Sequence, residues 1–375
     1  MIMNPLLHLQ QLGQSPWHDN IRRDQITSGQ LECMVVERDI TGLTSNPTIF
    51  EQAIIRTDDY NESLRKLAIA GNDAEQIFYS LVIDDIQAAA DIFQPVYERT
   101  HGADGYVSIE VSPSYANDTE STIRDARQLW ERVDRPNLMV KIPATKAGLE
   151  AITETVSSGI NVNVTLIFSI ERYGEVIDAF MAGLEQRLAN GQSVEHVASV
   201  ASFFVSRLDT LVDSLLEEKI SAGLGGSNDL ESLRGKAAVA NARLAYRLFE
   251  QVSDSSRWAA LSSQGARVQR PLWASTSTKN PSYSDVLYVE SLIGPDTVNT
   301  MPPGTLRAFK DHGRVELTIN SEVDQALELV NRLSEAQISM DIVTQKLEDE
   351  GVAAFFKSFD NLLAVIEGRR QSILG

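Results

Sequence analysis

Eight short apolar runs recur along this chain, each separated from the next by a stretch that is either a tight turn or long enough to hold a helix. They are SPWHD (15–19), TGLTSN (41–46), YVSIEV (106–111), NLMVKI (137–142), NVTLIF (163–168), VASVASF (197–203), RPLWAS (270–275) and DTVNTM (296–301). Between them lie segments such as AEQIFYSLVIDDIQAAADIFQPVYERT and YGEVIDAFMAGLEQRLANG, whose apolar residues recur at i, i+3 and i+4 as on one face of a helix. Strand–helix alternation predicts a parallel sheet covered by helices, and eight such units close a (β/α)8 TIM barrel. An open doubly wound sheet is the structural rival, but no G-x-G-x-x-G turn follows the first strand. The expected layout is one domain over residues 1–375. Its barrel covers about 15–310, and three helices are expected from about 315 to 375, containing LELVNRLSEAQ and the run from Met340 onward.

A net charge of −19 opposes binding to nucleic acid or to anionic lipid, and the basic stretch Arg22-Arg23 is too short to override it. No apolar run reaches the roughly 18 residues a membrane helix needs. The opening residues lack the basic start and apolar stretch of a signal peptide, so a cytoplasmic protein, monomer or homodimer, is expected. Cys33 is the only cysteine and the five histidines are scattered, so neither a disulfide nor a metal site is expected. Gly223-Leu224-Gly225-Gly226-Ser227 lacks the Lys-Ser/Thr ending of a phosphate loop and reads as a connection between helices.

Lys141 is the sharpest chemical signal, a lysine inside the apolar run NLMVKIPAT. Burial disfavours the charged form of an amine, and a neutral amine attacks a ketone to form a Schiff base. A salt-bridged lysine inside a barrel is the plainer alternative. Polar residues at or near the ends of the other runs bear on the choice: Asp19, Asn46, Glu110, Asn163, Thr165 and Ser202. In a parallel barrel the C-terminal strand ends converge on one mouth, and Asn163 and Thr165, two apart, share a face. Taken singly, Asp19 and Asn46 read as turn or cap residues. Six such positions on five runs point to a shared polar site.

The segments TSNPTIF, VSIEVSP, NLMVKIPAT, INVNVTLIFS and ASFFVSRLDT, in this order, resemble the signature segments of transaldolases, over residues from about 15 to 310. PWHDNIRRDQI and the chain length are similar to the longer bacterial branch. The resemblance implies a TIM barrel that needs no metal and no organic cofactor. It implies transfer of a dihydroxyacetone unit from sedoheptulose 7-phosphate to glyceraldehyde 3-phosphate, giving erythrose 4-phosphate and fructose 6-phosphate. Lys141 would be the Schiff-base lysine, and Glu110 with Thr165 would hold a proton-relaying water. Asp19 would be the acid/base at the C4 hydroxyl, while Asn46, Asn163 and Ser202 would bind the dihydroxyacetone hydroxyls.

Arg207, in FFVSRLD, matches the family arginine that binds the substrate phosphate. Where many transaldolases read Ala-Ser-Phe-Arg after the seventh strand, this chain reads Ala274-Ser275-Thr276-Ser277-Thr278-Lys279. Lys279, with Ser275, is expected to replace the arginine by a point charge, without its bidentate fork. Asp39 competes with Asp19 for the acid/base role, although it follows a helical run. Phe203-Phe204 reads equally as pocket mouth or as core. Asn163-Val164-Thr165 fits a glycosylation pattern only by accident, since it lies on an interior strand. The rival enzyme is a lysine aldolase like the fructose 6-phosphate aldolases, which are shorter and carry glutamine at the position of Glu110. The non-enzyme rival is a barrel retained as a scaffold.

Overall fold

The computed structural model describes residues 4–223 and 227–375. Eight parallel strands close into a barrel in chain order, and the first pairs with the last. They are β1 (Gln14–Asp19), β2 (Gly42–Thr44), β3 (Val107–Glu110), β4 (Leu138–Pro143), β5 (Val162–Ile167), β6 (Ser199–Phe204), β7 (Arg270–Ala274) and β8 (Thr297–Met301). Every run expected from sequence is a strand, with ends that agree to within two residues. The rival open sheet is excluded. The barrel is lined by side chains that alternate with outward ones along each strand.

Two adjustments sit at strand ends. The run 41–46 stops as a strand at Thr44, and Asn46 instead caps the helix Pro47–Arg56, its Oδ1 accepting from Ile49 N at 3.0 Å. A residue before proline is pushed away from helical geometry, which suits it to the cap position. Likewise β7 ends at Ala274, and Ser275 turns the chain with φ +56°. β5 carries an irregularity between Val164 and Ile167, where Leu166 has φ +60°. A bulge of this kind bends a strand at its end and re-aims the side chains around it.

The connections at the mouth are short. One or two residues separate β2, β4, β5 and β6 from the helices Pro47–Arg56, Lys146–Ser157, Ile170–Ala189 and Ser206–Ser221. Thr145 and Ser169 cap two of these by accepting from Gly148 N and Arg172 N, each at 3.0 Å. Short capped connections hold the mouth side chains on rigid backbone. At the other end Trp17 is fully buried, and Gly42 makes room for it: a Cβ on Gly42 would lie 2.5 Å from Trp17 Cε2.

The C-terminal region departs from expectation. Two helices, not three, follow residue 315: Val323–Glu335 and a single 35-residue helix, Met340–Leu374. Gly351 does not interrupt the second, because its bare α-carbon is where that helix approaches Leu166. A Cβ there would lie 3.0 Å from Leu166 Cδ2 and 3.7 Å from Arg207 Nη1. The helix packs on Pro47–Arg56, on the next two helices, Asn61–Ile69 and Ala74–Arg99, and on Ser206–Ser221. It is fastened by Arg172–Glu348 at 3.3 Å, by Thr48 Oγ1 to Ser358 Oγ at 2.9 Å, and by Arg369 to Ile54 O and Ile55 O, each at 3.0 Å. Most of 223–227, the stretch resembling a phosphate loop, lies outside the described residues.

Candidate active site

A cavity of about 880 Å³ opens at the C-terminal ends of the strands. Eight of the ten residues singled out from sequence line it: Asp19, Asn46, Lys141, Thr165, Ser202, Arg207, Ser275 and Lys279. Glu110 and Asn163 stand just behind. The parallel register explains the grouping, since Glu110 pairs with Lys141 across β3–β4 and Lys141 with Asn163 across β4–β5.

Lys141 is buried, and its Nζ donates to Ser45 O at 3.0 Å and lies 3.3 Å from Glu110 Oε2. The ring of Phe355, from the long C-terminal helix, is centred 6.0 Å from Nζ. Glu110 Oε2 has no hydrogen-bond partner among the described residues, and neither has the buried Thr165 Oγ1. Buried polar atoms are rarely left so, and those that are mark places where something else binds or reacts. Burial pushes the Glu110 carboxyl above the usual carboxylate range, against the pull of the Lys141 charge, and the neighbouring Asp19 raises it further.

Asp19 ends β1 and accepts from Thr44 Oγ1 at 2.8 Å. That hydroxyl also lies 2.6 Å from Thr300 Oγ1. Burial raises Asp19 as well, while Lys141, Lys279 and Arg207 pull it down. Asp39, its rival from sequence, is excluded by position. It precedes β2, on the face away from the mouth, where Asn4 Nδ2 and Lys310 Nζ hold it at 2.8 and 2.5 Å.

Asn163 differs from expectation in its surroundings. Its Nδ2 donates to Ser108 Oγ at 3.0 Å and its Oδ1 accepts from Ser202 Oγ at 2.7 Å, so it props Ser202 from behind and does not line the cavity. The Phe203-Phe204 ambiguity resolves by alternation. Phe204 lines the cavity under the Arg207 guanidinium, 5.3 Å from the ring centre, whereas Phe203 packs outward between Tyr173 and Trp273.

Arg207, Ser275 and Lys279 form the outer end. Ser275 is fixed by Ser206, with 2.9 Å between hydroxyls and 3.0 Å from Ser206 N to Ser275 O. Lys279 Nζ donates to Ser277 Oγ at 2.7 Å. Partial burial and the Arg207 cation hold the Lys279 ammonium below its ordinary value, and burial lowers Arg207. Two cations that repel each other in one cavity form a ready anion site. Among the described residues no group of three or more His, Cys, Asp or Glu could hold a metal, and no helix is long and apolar enough to cross a membrane.

Residues 16–366 match the family described as Transaldolase/Fructose-6-phosphate aldolase. The chain belongs to this family. Relatives named transaldolase include that of Thermobifida fusca, 50% identical with 96% of each chain covered, and that of Trichodesmium erythraeum, 46% identical with 98% of each covered. A third, from Frankia alni, is 48% identical over 97% of this chain and 96% of its own length. Family membership agrees with the closed barrel and with the transaldolase resemblance read from the sequence segments.

Sequence reasoning missed Phe355, Thr44 and Thr300. Thr44 was within reach, because it shares a strand face with Gly42 and sits in the quoted run TGLTSN. Phe355 was not, since it lies more than 200 residues beyond the lysine, inside a long helix whose sequence gives no sign of facing the mouth.

Proposed function

We propose that this transaldolase forms a Schiff base on Lys141 and moves a dihydroxyacetone unit from sedoheptulose 7-phosphate to glyceraldehyde 3-phosphate. The observation that carries this reading is the buried Lys141 amine beside Glu110, at the floor of a polar cavity whose outer end holds Arg207 and Lys279. Lys141 attacks the donor ketone. Glu110 and Thr165, whose free oxygens are buried beside it, hold the water that carries protons as the carbinolamine loses water to give the iminium. Asp19 takes the C4-hydroxyl proton, the C3–C4 bond breaks, and erythrose 4-phosphate leaves. The enamine left on Lys141 then attacks the acceptor aldehyde, and hydrolysis releases fructose 6-phosphate.

Asn46 and Ser202 hold the dihydroxyacetone hydroxyls, with Asn163 orienting Ser202 from behind. Arg207, Lys279 and Ser275 hold the phosphate. Phe355 and Phe204 supply the apolar walls. A fructose 6-phosphate aldolase would share the lysine and release its three-carbon unit to water. Glu110 and the transaldolase names of the long relatives favour transfer, and the complete lysine–aspartate–glutamate set disfavours a scaffold. The chain is read as one domain acting in the cytoplasm as a monomer or homodimer, with sugar phosphates and not nucleic acid or membrane as its partners.

Borohydride reduction in the presence of fructose 6-phosphate tests this. One three-carbon unit is expected per chain, on the peptide bearing Lys141, and Lys141→Ala should lose both the label and turnover. A label on another lysine, or none, overturns the mechanism. Product formation that ignores added acceptor aldehyde favours the aldolase.

A further inference from the structure

A second cavity, of about 560 Å³, lies at the opposite end of the barrel, among the N-terminal ends of the strands. Four arginines line it: Arg38, Arg99, Arg267 and Arg270. Such a concentration of positive charge is unexpected in a chain of net charge −19, where scattered arginines usually find acidic partners. None of these four does. The arginines in carboxylate ion pairs among the described residues are others.

The two acids in the lining are Asp104 and Asp296. Asp104 is buried and already satisfied by neutral donors, namely Ser15 Oγ, Trp17 Nε1 at 2.7 Å and Gly105 N at 3.1 Å. Arg270 is anchored by Ser15 Oγ and Thr297 O, each at 2.6 Å, and Arg267 by His101 O at 2.6 Å. The backbone at Arg38 is fixed by Gln10, whose Nε2 donates to Arg38 O at 2.6 Å. The guanidiniums of Arg38 and Arg99 make no hydrogen bond to a described residue and stand exposed at the rim. Two anchored and two free guanidiniums around one concavity match a small anion with several oxygens, since the planar fork pairs with phosphate through two parallel bonds.

We propose that the barrel floor is a binding site for a small polyphosphate, separate from the sugar-phosphate cavity at the mouth. Trp17 stands between them on β1, two residues before Asp19. The site takes its ligand through Arg38 and Arg99, with Arg267 and Arg270 behind.

The test is equilibrium dialysis of inorganic pyrophosphate against the full-length protein at constant ionic strength. Saturable binding of one pyrophosphate per chain, tighter than about 1 mM, is expected. The double variant Arg38→Ala/Arg99→Ala, altered only at exposed residues, should weaken it about ten-fold or more, with an unchanged thermal transition. Arg207→Ala should leave it unaltered. Absence of saturable binding overturns the proposal. So does loss with Arg207→Ala while the double variant binds normally, because pyrophosphate then occupies the mouth.

Discussion

Asp104 at the barrel floor and Glu110 at its mouth are both carboxylates on buried sites of the same barrel, yet they are treated in opposite ways. Asp104 receives Ser15, Trp17 and a backbone amide, and no cation touches it. Glu110 faces Lys141 at 3.3 Å, and its Oε2 has no hydrogen bond. The first arrangement stabilises a fold, because neutral donors satisfy the charge and tie the segment before β3 to β1. The second leaves hydrogen-bonding capacity unspent in a low-dielectric place, where it strengthens any interaction formed during reaction. A saturated buried acid is architecture, and an undersaturated one beside an amine is chemistry.

Removing the two acid groups separately makes this contrast measurable. Glu110→Gln should lower kcat by about 10²- to 10⁴-fold, the usual worth of a positioned acid–base group, by slowing imine formation and release. Asp19→Asn should cost as much but still form the imine, so the reducible sugar adduct accumulates. Equal loss of trapping in both variants would show that the steps are divided wrongly. Neither variant should melt earlier. Burial holds both carboxyls above their ordinary values, so folding favours their protonated forms. Their contribution to stability is greatest in acid and is lost as pH climbs from the ordinary carboxylate value through the raised one. The amide variants should therefore lose less stability than the parent across that interval. Asp104→Asn should reverse the pattern, costing about 1–3 kcal/mol of stability with kcat unchanged.

The same contrast separates what the sequence made legible from what it did not. The eight strands were readable because each is a short apolar run bounded by turn or helix signals. Lys141 stood out because an ammonium is out of place in such a run. Glu110, Thr165 and Ser202 followed from strand-end position. The surroundings of Asn163 were not readable, because whether its amide faces a substrate or two serines depends on register between three strands. The sequence already favours Asp19 over Asp39, because Asp19 ends an apolar run while Asp39 follows a helical one, and the barrel adds that Asp39 precedes β2, away from the mouth. The floor arginines come from three segments, those leading into β2, β3 and β7, spread over more than 200 residues, and no local pattern joins them. The single 35-residue C-terminal helix includes Gly351 without a break, and its contact with Leu166 is a tertiary feature that no local pattern shows.

The phosphate end of the mouth gives a smaller effect and a sharper boundary. Arg207→Ala should raise KM for phosphorylated donors about ten- to a hundred-fold, the worth of one charge-assisted contact of roughly 1.5–3 kcal/mol. Turnover of unphosphorylated dihydroxyacetone donors should hardly change. Equal damage to both kinds of donor would make Arg207 a support for the Leu166–Gly351 packing beside it and would move the phosphate site elsewhere.

Lys279→Met should have the smallest effect, a rise in KM of less than about ten-fold, because an ammonium binds as a point charge without a bidentate fork. Its signature lies in pH and salt. Partial burial and the neighbouring Arg207 hold its ammonium below the ordinary lysine value, so its share of phosphate binding disappears as pH rises through that lowered value. A bound phosphate dianion neutralises the Arg207–Lys279 repulsion and shifts the loss to higher pH. The parent should therefore show an alkaline rise in KM for phosphorylated donors that Lys279→Met lacks, and added salt should reduce the difference between the two. An identical alkaline limb in both proteins would assign that titration to another group and leave Arg207 as the cation that holds the phosphate.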